Sequence, residues 1–113
     1  MRQGEIYWID FGTPQGSEPG FLRPAVIIQN NAFNRSRLPT TVICTLSSNL
    51  ERAKAPGNVL LDPGEGHLPR QSVVMISQIF TVDESQLEEQ IGEISPKRLR
   101  QVLDGVRLLT EQD

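Results

Sequence analysis

Few side chains in this chain are equipped for chemistry, and the most distinctive of them is Arg23. It stands where a glycine- and proline-rich stretch, residues 12–20, meets the apolar run Pro24-Ala25-Val26-Ile27-Ile28. A guanidinium at that junction is anchored by a rigid element while its planar fork, charged at any working pH, can grip phosphate oxygens. Arg23 could instead pair with Glu18 and pin the loop, and the sequence leaves both readings open. Ser47 ends the run of residues 40–46, where its hydroxyl can donate to a phosphoryl oxygen or cap the next turn. Asn34, Arg35 and Arg37 add amide and cationic groups on another loop, as an RNA-facing rim needs and as a solvated loop also carries.

Other candidates carry less. His67 is the only histidine and so the obvious candidate for a general base, but it lies in a Gly/Pro-rich loop with no sequence-local partner to orient it. Cys44 lies inside an apolar strand and reads as a packed small hydrophobe rather than a nucleophile. One Cys and one His cannot fill a tetrahedral zinc site without scattered carboxylates, so neither metal nor cofactor is expected. Neither a phosphate-cradling G-x-x-x-x-G-K-[ST] nor a G-x-S-x-G nucleophile elbow is present.

The elements that must position these residues are mostly short strands. Residues 4–11 are rich in β-branched and aromatic side chains and predict a strand with Ile6, Trp8 and Phe11 off one side. Residues 24–29 predict a strand buried on both faces that Pro24 can only begin. Further strands are expected over 40–46, 59–61, 72–76 and 78–82, the last two joined by a kink or bulge near Ser77-Gln78. Residues 30–39 read as a polar turn with a single helical turn, and 83–88 as a short helical turn. In the tail, Leu99, Val102, Leu103, Val106 and Leu109 fall on one helical stripe behind a Ser95 cap and Pro96 at the first helical position. Intervals this short leave no room for crossover helices, so the fold class is mainly β with α. The architecture expected is a small, partly open β-barrel with a C-terminal helix on one side.

Length and charge bound the answer further. The 113 residues suit a single domain over 1–113, large enough for one core without staples. A lone cysteine excludes an internal disulfide, and no run approaches a bilayer-spanning length, so a soluble cytoplasmic protein is expected. The net charge of −3 divides into +2 over residues 1–58 and −5 over residues 59–113. That balance argues against indiscriminate coating of nucleic acid and leaves room for a local cationic site in the first part.

Together these segments resemble the MazF/PemK family of toxin ribonucleases from toxin–antitoxin pairs. The resemblance rests on Gly4-Glu5-Ile6-Tyr7 with Asp10, on the continuous block from Gly16-Ser17-Glu18 through Arg23-Pro24 to Gln29-Asn30, on Val42 to Ser47, on Ser72 to Ile79 and on the closing helix. It implies an SH3-like barrel (MazF/CcdB-like) that forms a homodimer and binds single-stranded RNA in grooves near the dimer interface. It implies a sequence-specific endoribonuclease, an mRNA interferase. Such an enzyme cleaves without metal by attack of the substrate's own 2′-hydroxyl, leaving a 2′,3′-cyclic phosphate and a 5′-hydroxyl.

A cognate, MazE-like antitoxin would neutralise the enzyme. By position Arg23 matches the family's catalytic arginine and Ser47 its catalytic threonine, a departure that keeps the hydroxyl and loses a methyl. Glu18 would order the loop or move a proton, and Leu22 stands where some members carry a histidine. Ser17, Asn34, Arg35 and Gln78 would contact RNA. The alternative is a non-enzymatic, gyrase-binding toxin of CcdB type on the same fold, against which the Arg23/Ser47 pair weighs.

Overall fold

The computed structural model describes residues 1–12, 16 and 21–112. Strands β1 (Glu5–Asp10), β2 (Leu22–Ile27), β3 (Thr40–Ser47), β4 (Val59–Leu60), β5 (Val73–Asp83) and β6 (Leu87–Glu93) form one sheet in the order β4-β5-β3-β2-β1-β6. Every pairing is antiparallel, as the short connections require. A single helical turn, α1 (Asn31–Asn34), precedes β3, and α2 (Pro96–Thr110) closes the chain. The sheet curls without joining β4 to β6, so the partly open, mainly-β architecture with a C-terminal helix is what forms.

The sheet is apolar on both faces, which explains the unbroken apolar run of β2. One cluster joins Ile6, Val26, Cys44, Leu46, Val74 and Ile76 with Val102 from α2. The other joins Ile9, Ala25, Ile27, Ile43 and Val82, with Phe11 and Phe80 edge to face at 5.6 Å beside it. Ile6 and Ile9 are both fully buried, so β1 has two inward sides rather than the single side expected from Ile6, Trp8 and Phe11. Burying one such side chain contributes about 1.5–3 kcal/mol, so these clusters fix the strand registers.

Helix α2 begins as its sequence dictates, with the Arg98 backbone N–H donating to Ser95 Oγ at 3.1 Å. Arg98 then donates from Nε to Glu65 Oε1 (3.0 Å) and from Nη2 to Glu65 Oε2 (2.8 Å), tying the helix to the turn before β5. Leu109 lies on the expected stripe yet is 48% exposed.

Two strand expectations need correction. Residues 87–93 carry three glutamates and a glycine and give no strand signal, yet they form edge strand β6 against β1. An edge strand buries little and tolerates charge, so its sequence need not alternate. Strand β2 begins at Leu22, and Pro24 lies inside it rather than at its start. The even-numbered residues of β2 turn their backbone N–H groups toward β3, as in the Ile28 N–H bond to the Val42 carbonyl at 2.9 Å. Pro24 has no N–H to give, and the β2–β3 ladder ends at Ala25–Thr45. The predicted kink in residues 72–82 is a bulge: β5 is continuous, but its register against β3 shifts between Cys44 and Leu46.

Candidate active site

The end of the β2–β3 ladder is where the candidate chemical groups stand. Arg23 is paired with Ile9 on β1. The pairs Ala25–Thr45, Val26–Cys44 and Ile27–Ile43 set the register of β2 against β3. Continued two residues past Ala25, that register brings Arg23 opposite Ser47, and strand alternation puts both on the face of Ala25 and Thr45. Arg23 is exposed, and among the described residues no carboxylate forms an ion pair with it. The Ser47 hydroxyl accepts the Asn49 backbone N–H at 3.1 Å, which leaves its own proton free to donate.

Thr45, fully inside the sheet, donates its hydroxyl to Gln78 Oε1. Gln78 lies in the bulged stretch of β5, so this bond holds its carboxamide beside Thr45, one step along the face from Ser47. The Gln78 oxygen is thereby occupied, and its NH₂ is the end left for a ligand.

A cleft of about 360 Å³ opens at the same strand ends. Its lining includes Trp8, Phe21, Arg23, Leu46, Ser48 and Arg70. The hydroxyl on its wall is therefore Ser48, while Ser47 belongs to the neighbouring face. Ser48, Phe21 and Arg70 were not among the expected residues. Nothing in the sequence links Arg70 to Arg23 across 47 positions, and only the curl of the sheet brings them to one cleft.

The remaining expected residues stand elsewhere. Asn34 is committed internally, donating to the Gln29 carbonyl (2.9 Å) and accepting from Gln29 Nε2 (2.9 Å) and Thr41 Oγ1 (2.9 Å). Thr41 is six residues from Ser47 along β3, so Asn34 and its exposed neighbour Arg35 lie about 20 Å from the Arg23 end within one protomer. Ser17 and Glu18 fall outside the described residues. His67 is exposed in a short helical turn with a positive φ of 58°. Cys44 is fully buried, and that burial pushes its thiol up to about 12. Tyr7 is also raised to about 12, by burial first and then by its hydrogen bond to Glu5, so it stays protonated at neutral pH.

An exposed guanidinium with no ion-pair partner among the described residues, strand-end hydroxyls and an apolar cleft on a curled antiparallel sheet are groups with the chemistry to hold a phosphodiester. The sequence comparisons name the class. The model of the family described as "PemK-like, MazF-like toxin of type II toxin-antitoxin system" matches residues 2–110. This chain belongs to that family. It is 39% identical over 107 residues to the endoribonuclease MazF6 of Mycobacterium tuberculosis H37Rv, covering 95% of this chain and 94% of that protein. Its fold superposes on crystalline MazF from Deinococcus radiodurans with a TM-score of 0.79 at 25% identity, covering 96% and 94% of the two chains. A mycobacterial endoribonuclease solved in complex with its cognate antitoxin shares the fold with a TM-score of 0.79 at 23% identity, covering 100% and 99%.

Proposed function

We propose that this protein is a toxin endoribonuclease that cleaves single-stranded RNA, with Arg23 and Ser47 acting on the scissile phosphate and a cognate antitoxin neutralising it. The observation that carries the reading is the β2–β3 register up to Ala25–Thr45, whose continuation sets Arg23 opposite Ser47. The family membership and the relatives named as endoribonucleases support it.

In this mechanism the nucleophile is the RNA's own 2′-hydroxyl. Its oxygen forms a bond to phosphorus, the bond from phosphorus to the 5′-oxygen breaks, and the proton lost from the 2′-oxygen is balanced by one gained on the leaving oxygen. The products are a 2′,3′-cyclic phosphate and a 5′-hydroxyl, with no metal step. Arg23 holds two phosphoryl oxygens in its fork and stabilises the charge that grows on them in the phosphorane. Ser47 donates a hydrogen bond to the same oxygens, and Gln78 presents its NH₂ to an adjacent base edge. A guanidinium is a poor base near neutral pH, so Glu18 is the carboxylate we assign to ordering the loop or moving the proton. Ser17 and Arg35 are proposed RNA contacts, and Asn34 supports Arg35 by fixing the α1 turn. A homodimer acting in the cytoplasm completes the reading, and no described helix is long and apolar enough to span a membrane.

The test is incubation of the purified protein with a long mixed-sequence RNA in EDTA, followed by mapping of the ends. Fragments ending in 2′,3′-cyclic phosphate support the reading. Arg23→Ala should lower the cleavage rate by about a hundredfold to a thousandfold, as loss of a charge-stabilising donor does elsewhere. Intact RNA, or full activity in that variant with an unchanged melting temperature, overturns it.

A further inference from the structure

Resting on the ribonuclease reading, we infer that Thr45 is a specificity-determining residue. It holds the oxygen of the Gln78 carboxamide and leaves the NH₂ outward, so the base read there carries a keto oxygen, as uracil and guanine do, rather than an amino group. Thr45 is a buried hydroxyl in the middle of the sheet, and Gln78 is half-buried on β5. Between the pairs Cys44–Ile79 and Leu46–Val74, residues 75–78 of β5 stand against Thr45 alone, and this bulge re-aims the Gln78 side chain toward it. The bulge is itself pinned. Asn58 Oδ1 accepts the Ile76 backbone N–H at 3.0 Å, and Asn58 Nδ2 donates to the Arg52 carbonyl at 2.9 Å.

The hydroxyl proton of Thr45 decides which end of the amide faces out. A carboxamide is nearly symmetric in shape, and left to itself it could present either its oxygen or its NH₂ to a ligand. The bond to Gln78 Oε1 is the one hydrogen bond that Thr45 Oγ1 makes among the described residues. A flipped amide would donate to the hydroxyl and leave the hydroxyl proton with no acceptor. Burying that proton unpaired disfavours the flipped amide by about tenfold or more. Among the described residues no buried side-chain polar atom lacks a partner, so the orientation observed is the satisfied one. An outward NH₂ donates to O4 of uracil or O6 of guanine, whereas it meets the amino group of cytosine or adenine donor to donor. Thr45 precedes Ser47 on one face of β3 by about 7 Å, so the base in question adjoins the scissile phosphate.

The probes are short 2′-O-methyl homo-oligomers of uridine, cytidine, inosine and adenosine, which cannot react because they have no free 2′-hydroxyl. Uridine against cytidine, and inosine against adenosine, sets an exocyclic oxygen against an amino group, and a homo-oligomer offers the same base in every register. Dissociation constants for the full chain are expected to favour the keto member of each pair by about tenfold. Thr45→Val removes the hydroxyl, keeps the branched shape and should bring both ratios close to one, while Thr45→Ser should keep them. Gln78→Glu leaves only oxygens to face the ligand and should invert both ratios, whatever it does to overall affinity. Its half-buried site on the bulge keeps the test open if the melting temperature shows that Thr45→Val does not fold. The inference is overturned by a wild type that binds both members of each pair equally or binds neither. A folded Thr45→Val protein with wild-type ratios, or a Gln78→Glu protein that still favours the keto member, also overturns it. RNA cleavage beside any of these results leaves the ribonuclease reading standing. Ratios that depend on Thr45 without any cleavage uphold the inference and remove the ribonuclease reading.

Discussion

The β2–β3 register, continued two residues past its last pair, Ala25–Thr45, sets Arg23 and Ser47 opposite one another on one face of neighbouring strands. Pro24, with no N–H to give, stands where that ladder ends. Ser48, one residue on, faces the cleft instead.

The two serines should therefore separate in function. Ser47→Ala should lower RNA cleavage by about tenfold or more, the value of one hydrogen bond to a charged group. Ser47→Thr keeps the hydroxyl and adds a methyl that narrows its rotamers, and it should retain activity. Ser48→Ala should lose less than Ser47→Ala. Rates measured under single-turnover conditions check this order, and its reversal assigns the role to Ser48.

The Glu65–Arg98 pair gives the fold an acid-sensitive clasp. The Arg98 hydrogen bonds hold the Glu65 carboxyl below its ordinary value of 4.5. A carboxylate favoured in the folded state stabilises fully above its unfolded pKa and loses that contribution as pH falls through its lower folded value. Glu65→Gln should cost about 1–2 kcal/mol near neutrality, because the charge assistance goes and Arg98 loses a partner. Urea midpoints of the two proteins should converge as the pH is lowered below 4.5. A gap that stays constant into acid would show that the pair is not the source.

Gly105 sits in the middle of α2, where alanine would ordinarily improve a helix by about 1 kcal/mol. Here a Cβ would run into the Gly57 carbonyl oxygen and lie 3.1 Å from Ile76 Cγ2. Backbone cannot give way cheaply, and overpacking of this kind costs about 1–3 kcal/mol. Gly105→Ala is expected to lower the melting temperature rather than raise it, as calorimetry will show.

Cys44 should be inert in the native protein. With its thiol pushed up to about 12 and no exposed surface, it offers almost no thiolate to a reagent. Iodoacetamide should label it only after unfolding in urea, and mass spectrometry reads the difference. Rapid labelling of the folded protein would mean that β3 opens.

The sequence by itself determined what depends on near neighbours in the chain. The strand of residues 40–47, the Ser95–Pro96 start of α2 and the bulge after Ile76 follow from alternation, capping and composition, which are local. Arg23 was legible as a chemical group because a loop and an apolar strand meet at it. Tertiary structure decided the rest. Strand β6 forms because β1 offers it an unpaired edge, not because its glutamates favour extension. Arg70 joins Arg23 because the curl of the sheet sets which strand ends share a cleft. Pairing and burial between distant segments fix that curl, and no window of adjacent residues contains both partners.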